Sequence, residues 1–252
     1  RDPRINREVA VKAIPLADEF DPEDLEQART RFFREAEMAG RLSHPHIVTI
    51  YDAGEDGGTA YIAMELLRGQ HLVEYTSAAR LLPTAVAIEI VARLADALHY
   101  AHQNQVVHRD IKPANIMFDA PSGELKITDF GIARLTDSGR TRTGVVLGTP
   151  SFMSPEQLQG RPVTGRSDLF SLAVSLYQLL TGQLPFRGDT MPGLMLQIAQ
   201  EPHPRICAIN PALPPGLDTF FDRALAKDPA ARYDSGASFA QALRDLNLPD
   251  KR

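Results

Sequence analysis

Residues 169–180 read Leu-Phe-Ser-Leu-Ala-Val-Ser-Leu-Tyr-Gln-Leu-Leu, apolar nearly all the way round a helical wheel. A helix without a polar face has no side to turn to water, so it must run through the middle of a lobe with other elements packed around it. Gly182 follows as a C-cap. Residues Thr84–Gln103 predict one packing partner, an amphipathic helix with Val86, Ile90, Leu94 and Leu98 at four-residue steps. Further helices are predicted at Met191–Gln200, 216–226 and 236–246. This half of the chain is therefore a helical lobe built around one buried helix.

The stretch 1–66 has a different grammar. Residues 7–14 alternate and are β-branched, which predicts a strand. Asp21-Pro22 supplies an N-cap and a first-turn proline for a helix running to about residue 42. Leu25, Ala28, Phe32, Ala36 and Ala39 form its apolar stripe. Two more strands are predicted near 47–53 and Thr59–Glu65, joined by the turn Gly54-Glu55-Asp56-Gly57-Gly58. The expected class is α+β with two lobes: a small β-rich one over 1–66 and a larger helical one over 67–252, with 65–69 between them.

Composition agrees with a globular domain: 43% hydrophobic and 23% charged residues. A net charge of -5 gives no electrostatic case for nucleic acid or anionic lipid. Cys207 is the single cysteine, so no intrachain disulfide can form, in keeping with a reducing cytosol. There is no apolar run of membrane-spanning length and no secretory start. The expectation is a soluble, cytoplasmic domain without membrane contact, although a longer parent could carry an anchor.

The chemistry is concentrated in one string, His108-Arg109-Asp110-Ile111-Lys112-Pro113-Ala114-Asn115, followed fourteen residues later by Asp129-Phe130-Gly131. A lone His-Arg-Asp is commonly a solvated turn; the longer string at that spacing, with Ser154-Pro155-Glu156 beyond it, is not. An acid able to accept a hydroxyl proton, an amide ligand and a second acid on a tight turn are the parts of phosphoryl transfer from Mg-ATP, in their usual order. On these motifs, from Val9 to Tyr233, the chain resembles protein kinase catalytic domains. The details Ile111-Lys112-Pro113-Ala114-Asn115-Ile116-Met117 and Ser154-Pro155-Glu156-Gln157 are most similar to bacterial Hanks-type Ser/Thr kinases.

The resemblance implies that residues 1–252 form one kinase domain that moves the ATP γ-phosphate to Ser or Thr hydroxyls of protein substrates. It casts Asp110 as the acceptor of the hydroxyl proton and Lys112 as the γ-phosphate contact typical of Ser/Thr kinases. Asn115 and Asp129 would hold magnesium, or manganese in its place. Lys12 of Val9-Ala10-Val11-Lys12 would reach the α and β phosphates, held there by Glu35; Glu37, two positions on, would face the other way. Ala10 and Met117 match the residues that sandwich adenine, Met64 the gatekeeper, and Glu65 and Leu67 the backbone contacts to its edge.

Residues 129–156 resemble an activation segment, with Thr141 and Thr143 as autophosphorylation sites and Arg109 as the partner of a phosphate placed there. Thr149 would bond Asp110 and Lys112. Glu156 would pair with Arg232 of Ala230-Ala231-Arg232-Tyr233. Asp168 would anchor the catalytic loop through backbone N–H groups, and His108 and Phe130 would be structural members of an apolar spine. Some relatives form homodimers for trans-autophosphorylation, an arrangement open to this chain as well.

The sequence departs from the family in one respect: no Gly-x-Gly-x-x-Gly loop occurs, and Arg1-Asp2-Pro3 falls just after the place where it would end. Because Asp110, Asp129 and Lys12 are all present, the expectation is a truncated enzyme that binds ATP poorly in this form. The alternatives are a catalytically impaired kinase-fold scaffold, or a small-molecule phosphotransferase, against which Thr149 and the Ser154-Pro155-Glu156 segment count. Ala173, where many relatives have glycine, suits a helix. His99 and His102 lie three apart without a third ligand nearby and read as a helix face. No Cys pair or His-Glu-x-x-His supports zinc.

Overall fold

The structure is a computed structural model and describes residues 6–130 and 150–246. Its first strand, β1 (Val9–Ile14), follows from the alternating β-branched run and ends at Pro15, which opens the short helix α1 (Leu16–Glu19). Asp21 occupies the N-cap position of α2 (Pro22–Gly40), with Pro22 in the first turn where its missing N–H is harmless. The predicted stripe lands as expected: Ala28, Phe32, Ala36 and Ala39 are buried, and Leu25 packs at the edge. Strands β2 (Ile50–Asp56) and β3 (Thr59–Glu65) complete the small lobe. They form an antiparallel sheet in the order β1-β3-β2, and Leu16, Phe20, Phe32, Ala60 and Ile62 fill the space beneath it.

The predicted strand at 47–53 begins later, at Ile50, for a specific reason. The backbone of His46 to Val48 is already engaged with the other lobe. Ile47 bridges Ile127 in parallel, Val48 N–H donates to Ile127 O (2.9 Å), and Ile127 N–H donates to His46 O (2.9 Å). These residues stitch the lobes together instead of extending the small sheet.

In the large lobe, β4 (Gln70–His71), β5 (Ile116–Asp119) and β6 (Glu124–Ile127) form a second antiparallel sheet beneath the cleft, in that order. Gly69 sits at φ +97° against β5, where a Cβ would lie 2.7 Å from Asp119 Cα. Only glycine fits there. Helix α3 (Thr84–Gln103) has the predicted bounds. After it come α4 (Pro155–Leu158), α5 (Gly165–Thr181), α6 (Met191–Gln200), α7 (Ile206–Ile209), α8 (Gly216–Ala224) and α9 (Gly236–Arg244).

Helix α5 is the one apolar on all sides, and every residue from Ser167 to Tyr177 is buried. Its serines do not leave unpaired hydroxyls inside the lobe. Ser171 Oγ donates to Phe152 O (2.7 Å), and Ser175 Oγ to Ser171 O (2.9 Å). Gly182 caps the helix at φ 72°, its N–H on Gln178 O. That left-handed cap is the usual glycine ending of a helix. Among the described residues no helix is long and apolar enough to cross a membrane.

Candidate active site

The loop after α3 is built around Asp168, which α5 presents at its buried first turn. Asp168 Oδ1 accepts from Arg109 N–H (2.7 Å). Oδ2 accepts from His108 N–H (2.9 Å) and stands 2.8 Å from His102 Nε2. These bonds hold Arg109 at φ 71°. That left-handed conformation costs a residue with a side chain about 1–2 kcal/mol. The His108 ring is fixed as well. Its Nε2 faces Thr128 O (2.7 Å), so that nitrogen carries the proton and Nδ1 accepts from Asp110 N–H (3.2 Å). Phe130 packs edge-on against it with ring centroids 4.6 Å apart. His102, which the sequence suggested was a plain helix face, is thus tied to the anchor of the loop.

Asp110 is oriented from two sides. Lys112 Nζ donates to Asp110 Oδ2 at 2.7 Å, and Asn115 Nδ2 donates to the same oxygen at 2.8 Å. Asn115 Nδ2 also donates to Asp110 O at 2.8 Å. Both amide hydrogens of Asn115 are therefore spent on Asp110, which leaves Oδ1 as the atom it can offer a cation. Thr128 N–H and Oγ1 donate to Asn115 O (2.9 and 3.0 Å), holding Asn115 beside the residue that precedes Asp129. An amide oxygen and a carboxylate side by side suit magnesium, which takes hard oxygens and is usually completed by phosphate and water. Among the described residues no three His, Cys, Asp or Glu side chains gather into a site of another kind.

Asp129 stands at φ 63°, the second left-handed position in the site. Such strain persists only where the surroundings over-determine it. Its Oδ1 accepts from Lys12 Nζ at 2.9 Å, with both side chains partly exposed (28% and 39%). Among the described residues Lys12 pairs with Asp129, where the sequence pointed to Glu35. A lysine's long stem reaches across the cleft, and pairing two partly exposed charges avoids stripping water from a buried one. Glu35 is buried on α2 at 8% exposure and has polar contacts of its own; Glu37 is exposed and pairs with Arg41.

Ala10 lies opposite Met64 in the β1–β3 register, and Met117 opposite Lys126 in β5–β6; all three, with Leu67, are half-buried. Glu65 N–H is taken by Thr49 O (2.9 Å), so the carbonyl is the backbone group left to meet a ligand edge. The Glu65 side chain accepts from Lys126 Nζ (2.9 Å), a bridge between the lobes that sequence reading missed. Partial burial pushes the Glu65 carboxyl up, but the bonds from Lys126 and Thr49 outweigh it and hold the group below its ordinary range.

Below the loop, Glu156 and Arg232 form the expected pair, bidentate at 2.8 Å for each bond and almost fully buried. A fork-to-fork pair of this kind is among the stronger side-chain contacts. Burial alone would raise the Glu156 carboxyl. Hydrogen bonds from Arg232 and from Ser167 Oγ (2.6 Å), with the guanidinium charge, pull it below the usual carboxylate range. Gln157, the last residue of the Ser154-Pro155-Glu156-Gln157 string, donates from Nε2 to Arg109 O at 2.8 Å, a partner that the sequence reading did not name. Thr141, Thr143 and Thr149 lie outside the described residues.

A small antiparallel sheet lobe and a helical lobe, with this loop between them, define a protein kinase fold, and the chain belongs to the protein kinase domain family, whose model matches residues 2–245. It is 41% identical over 232 residues to serine/threonine-protein kinase PrkC of Bacillus subtilis (strain 168), covering 92% of this chain and 35% of that protein. It is likewise 41% identical over 250 residues to serine/threonine-protein kinase PknB of Mycobacterium tuberculosis (strain ATCC 25618 / H37Rv), covering 96% of this chain and 39% of the relative. The chain thus spans well under half the length of these two curated relatives. The crystal structure of the Mycobacterium tuberculosis PknI kinase domain superposes with a TM-score of 0.75 at 33% identity, covering 97% of this chain and 88% of that one.

Proposed function

We propose that this domain is a Ser/Thr protein kinase: it transfers the γ-phosphoryl group of ATP to Ser or Thr hydroxyls of proteins. The observation that carries this reading is the bonded set Asp110–Lys112–Asn115, with Asp129 and Lys12 paired across from it. Asp110 uses Oδ2 to hold Lys112 and Asn115, so Oδ1 is the oxygen that takes the proton of the attacking hydroxyl. As that hydroxyl oxygen bonds to the γ-phosphorus, the bond to the β-phosphate oxygen breaks and ADP leaves. Lys112 stabilises charge on the moving group, and Lys12 holds the α and β phosphates. Asn115 Oδ1 and Asp129 would hold magnesium, and the same hard donors would accept manganese. When bound, the metal neutralises charge on the phosphate oxygens.

Ala10, Met64, Met117 and Leu67 line the adenine side, with Glu65 and Leu67 offering backbone groups. Thr141 and Thr143 are the sites of self-phosphorylation, with Arg109 as phosphate partner and a second copy of the chain as the acting enzyme. ATP as donor and a single thiol fit a reducing cytoplasm.

The test is incubation of the chain with Mg-ATP and mass spectrometry of the peptide 136–143, with Asp110→Asn as control. Phosphate on Thr141 or Thr143 in the parent alone supports the assignment. Equal incorporation by Asp110→Asn would remove Asp110 from the mechanism. No incorporation, even with added protein substrate and an upstream-extended chain, would leave a scaffold.

A further inference from the structure

The side-chain amide of Gln157 is used at both ends. Its Oε1 accepts from the N–H and the hydroxyl of Ser154 (3.0 Å each), and its Nε2 donates to Arg109 O at 2.8 Å. Ser154 is fully buried, so its two donors fix which way the amide faces. Turned over, the amide would set N–H against N–H.

Arg109 is the strained residue immediately before Asp110. Its N–H is held by Asp168 from α5, and its carbonyl by Gln157 from α4. The peptide joining Arg109 to Asp110 is pinned at both edges: the carbonyl oxygen by Gln157, the N–H by His108 Nδ1. The tilt of that peptide plane sets where the Asp110 carboxylate points. A left-handed residue relaxes unless its surroundings over-determine it, and Gln157 supplies the clamp on the carbonyl side.

We propose that Gln157 is a positioning residue for Asp110, fixing the Arg109–Asp110 peptide from the end of the activation segment. The inference rests on the kinase reading for its effect on turnover, though not for its effect on the loop. It requires an N–H donor at position 157 as well as an acceptor. A carboxylate there would keep the Ser154 bonds and set an anionic oxygen against the Arg109 carbonyl.

Gln157→Glu tests this at nearly constant shape. At pH 7.5 the variant should lose between about tenfold and a hundredfold in kcat, with KM for ATP within about twofold of the parent. Its deficit should shrink as the pH is lowered toward 5.5. There the new carboxyl, which the facing Arg109 carbonyl pushes up against the downward pull of the two Ser154 donors, begins to gain a proton and can donate again. Gln157→Ala should show a loss of kcat with no such recovery. Independently of turnover, backbone amide exchange over 108–111 should be faster in Gln157→Glu at neutral pH than in the parent.

Parental kcat together with parental exchange would overturn the proposal. So would losses in both variants that follow a lowered melting temperature alike at every pH, since a merely structural residue would behave that way. If neither the parent nor an upstream-extended chain shows turnover, faster exchange in Gln157→Glu would uphold the clamp while the kinase reading fails; unchanged exchange would overturn both.

Discussion

Arg232 is 2% exposed, yet its guanidinium reaches Ala226 O, Arg166 O and Lys227 O as well as both oxygens of Glu156. A charge this deep is tolerable only because every edge of its donor fork is used. Replacing Arg232 with Met strands the Glu156 carboxylate, and urea unfolding at pH 7 should register a loss of about 3–5 kcal/mol. The acid limb should change too. Glu156 titrates lower in the folded chain than its ordinary 4.5, so its contribution is present above that value and is lost as pH falls through the folded value. The gap between the parent and Arg232→Met should therefore narrow as the pH is taken below the ordinary value of 4.5. An equal gap at pH 7 and pH 3 would refute this account of the pair. The grouping of Asp110, Lys112 and Asn115 was legible at this scale because they are neighbours in sequence and one loop keeps them together. The partner of Lys12 was not, because it lies across the cleft and depends on which acid comes within reach in three dimensions. Gln157 entered only as the last residue of the string Ser154-Pro155-Glu156-Gln157; its bond to Arg109 could not be read there, because an amide shows its value only when its two ends are seen to be used.

At the scale of elements, α3 and α9 pack closely because α9 begins with glycine. A Cβ on Gly236 would collide with Ala95 O and press on the backbone of His99, whereas Gly40, at the end of α2, has open space around it. Gly236→Ala should therefore cost about 1–3 kcal/mol, and Gly40→Ala should instead stabilise by about 0.4–1 kcal/mol. Thermal unfolding of the two variants should shift in opposite directions; a shared direction would mean that helix propensity, rather than the α3–α9 approach, decides both. Long elements were read well, since α3 and α6 have the bounds their periodicity predicts and α5 was marked by its apolar surface. Strands β5 and β6 were not foreseen. Each is too short for a period to register, and such strands exist through their partners. The start of β2 was misplaced for a related reason: the backbone of His46 to Val48 is claimed by Ile127, a contact no local pattern encodes.

Across the whole molecule, the contacts among the described residues that join the lobes include the backbone bridge at Ile127, the Glu65–Lys126 ion pair and, third, Lys12–Asp129. The first two lie behind the cleft and fix the hinge, while the third spans the proposed site. With Asp129 as the metal ligand proposed above, Lys12 and a divalent cation would compete for it. Lys12→Gln should tighten binding of magnesium alone and at the same time weaken binding of ATP, both readable by calorimetry. Weaker binding of both would mean that Lys12 does not occupy Asp129 in solution. At rest the mouth of the cleft is electrically closed upon itself, with an internal cation seated on the acid that a metal would claim. On the function proposed above, metal and nucleotide would gain entry together, one to release the acid and the other to receive the lysine, as a strongbox opens only when two keys are turned at once.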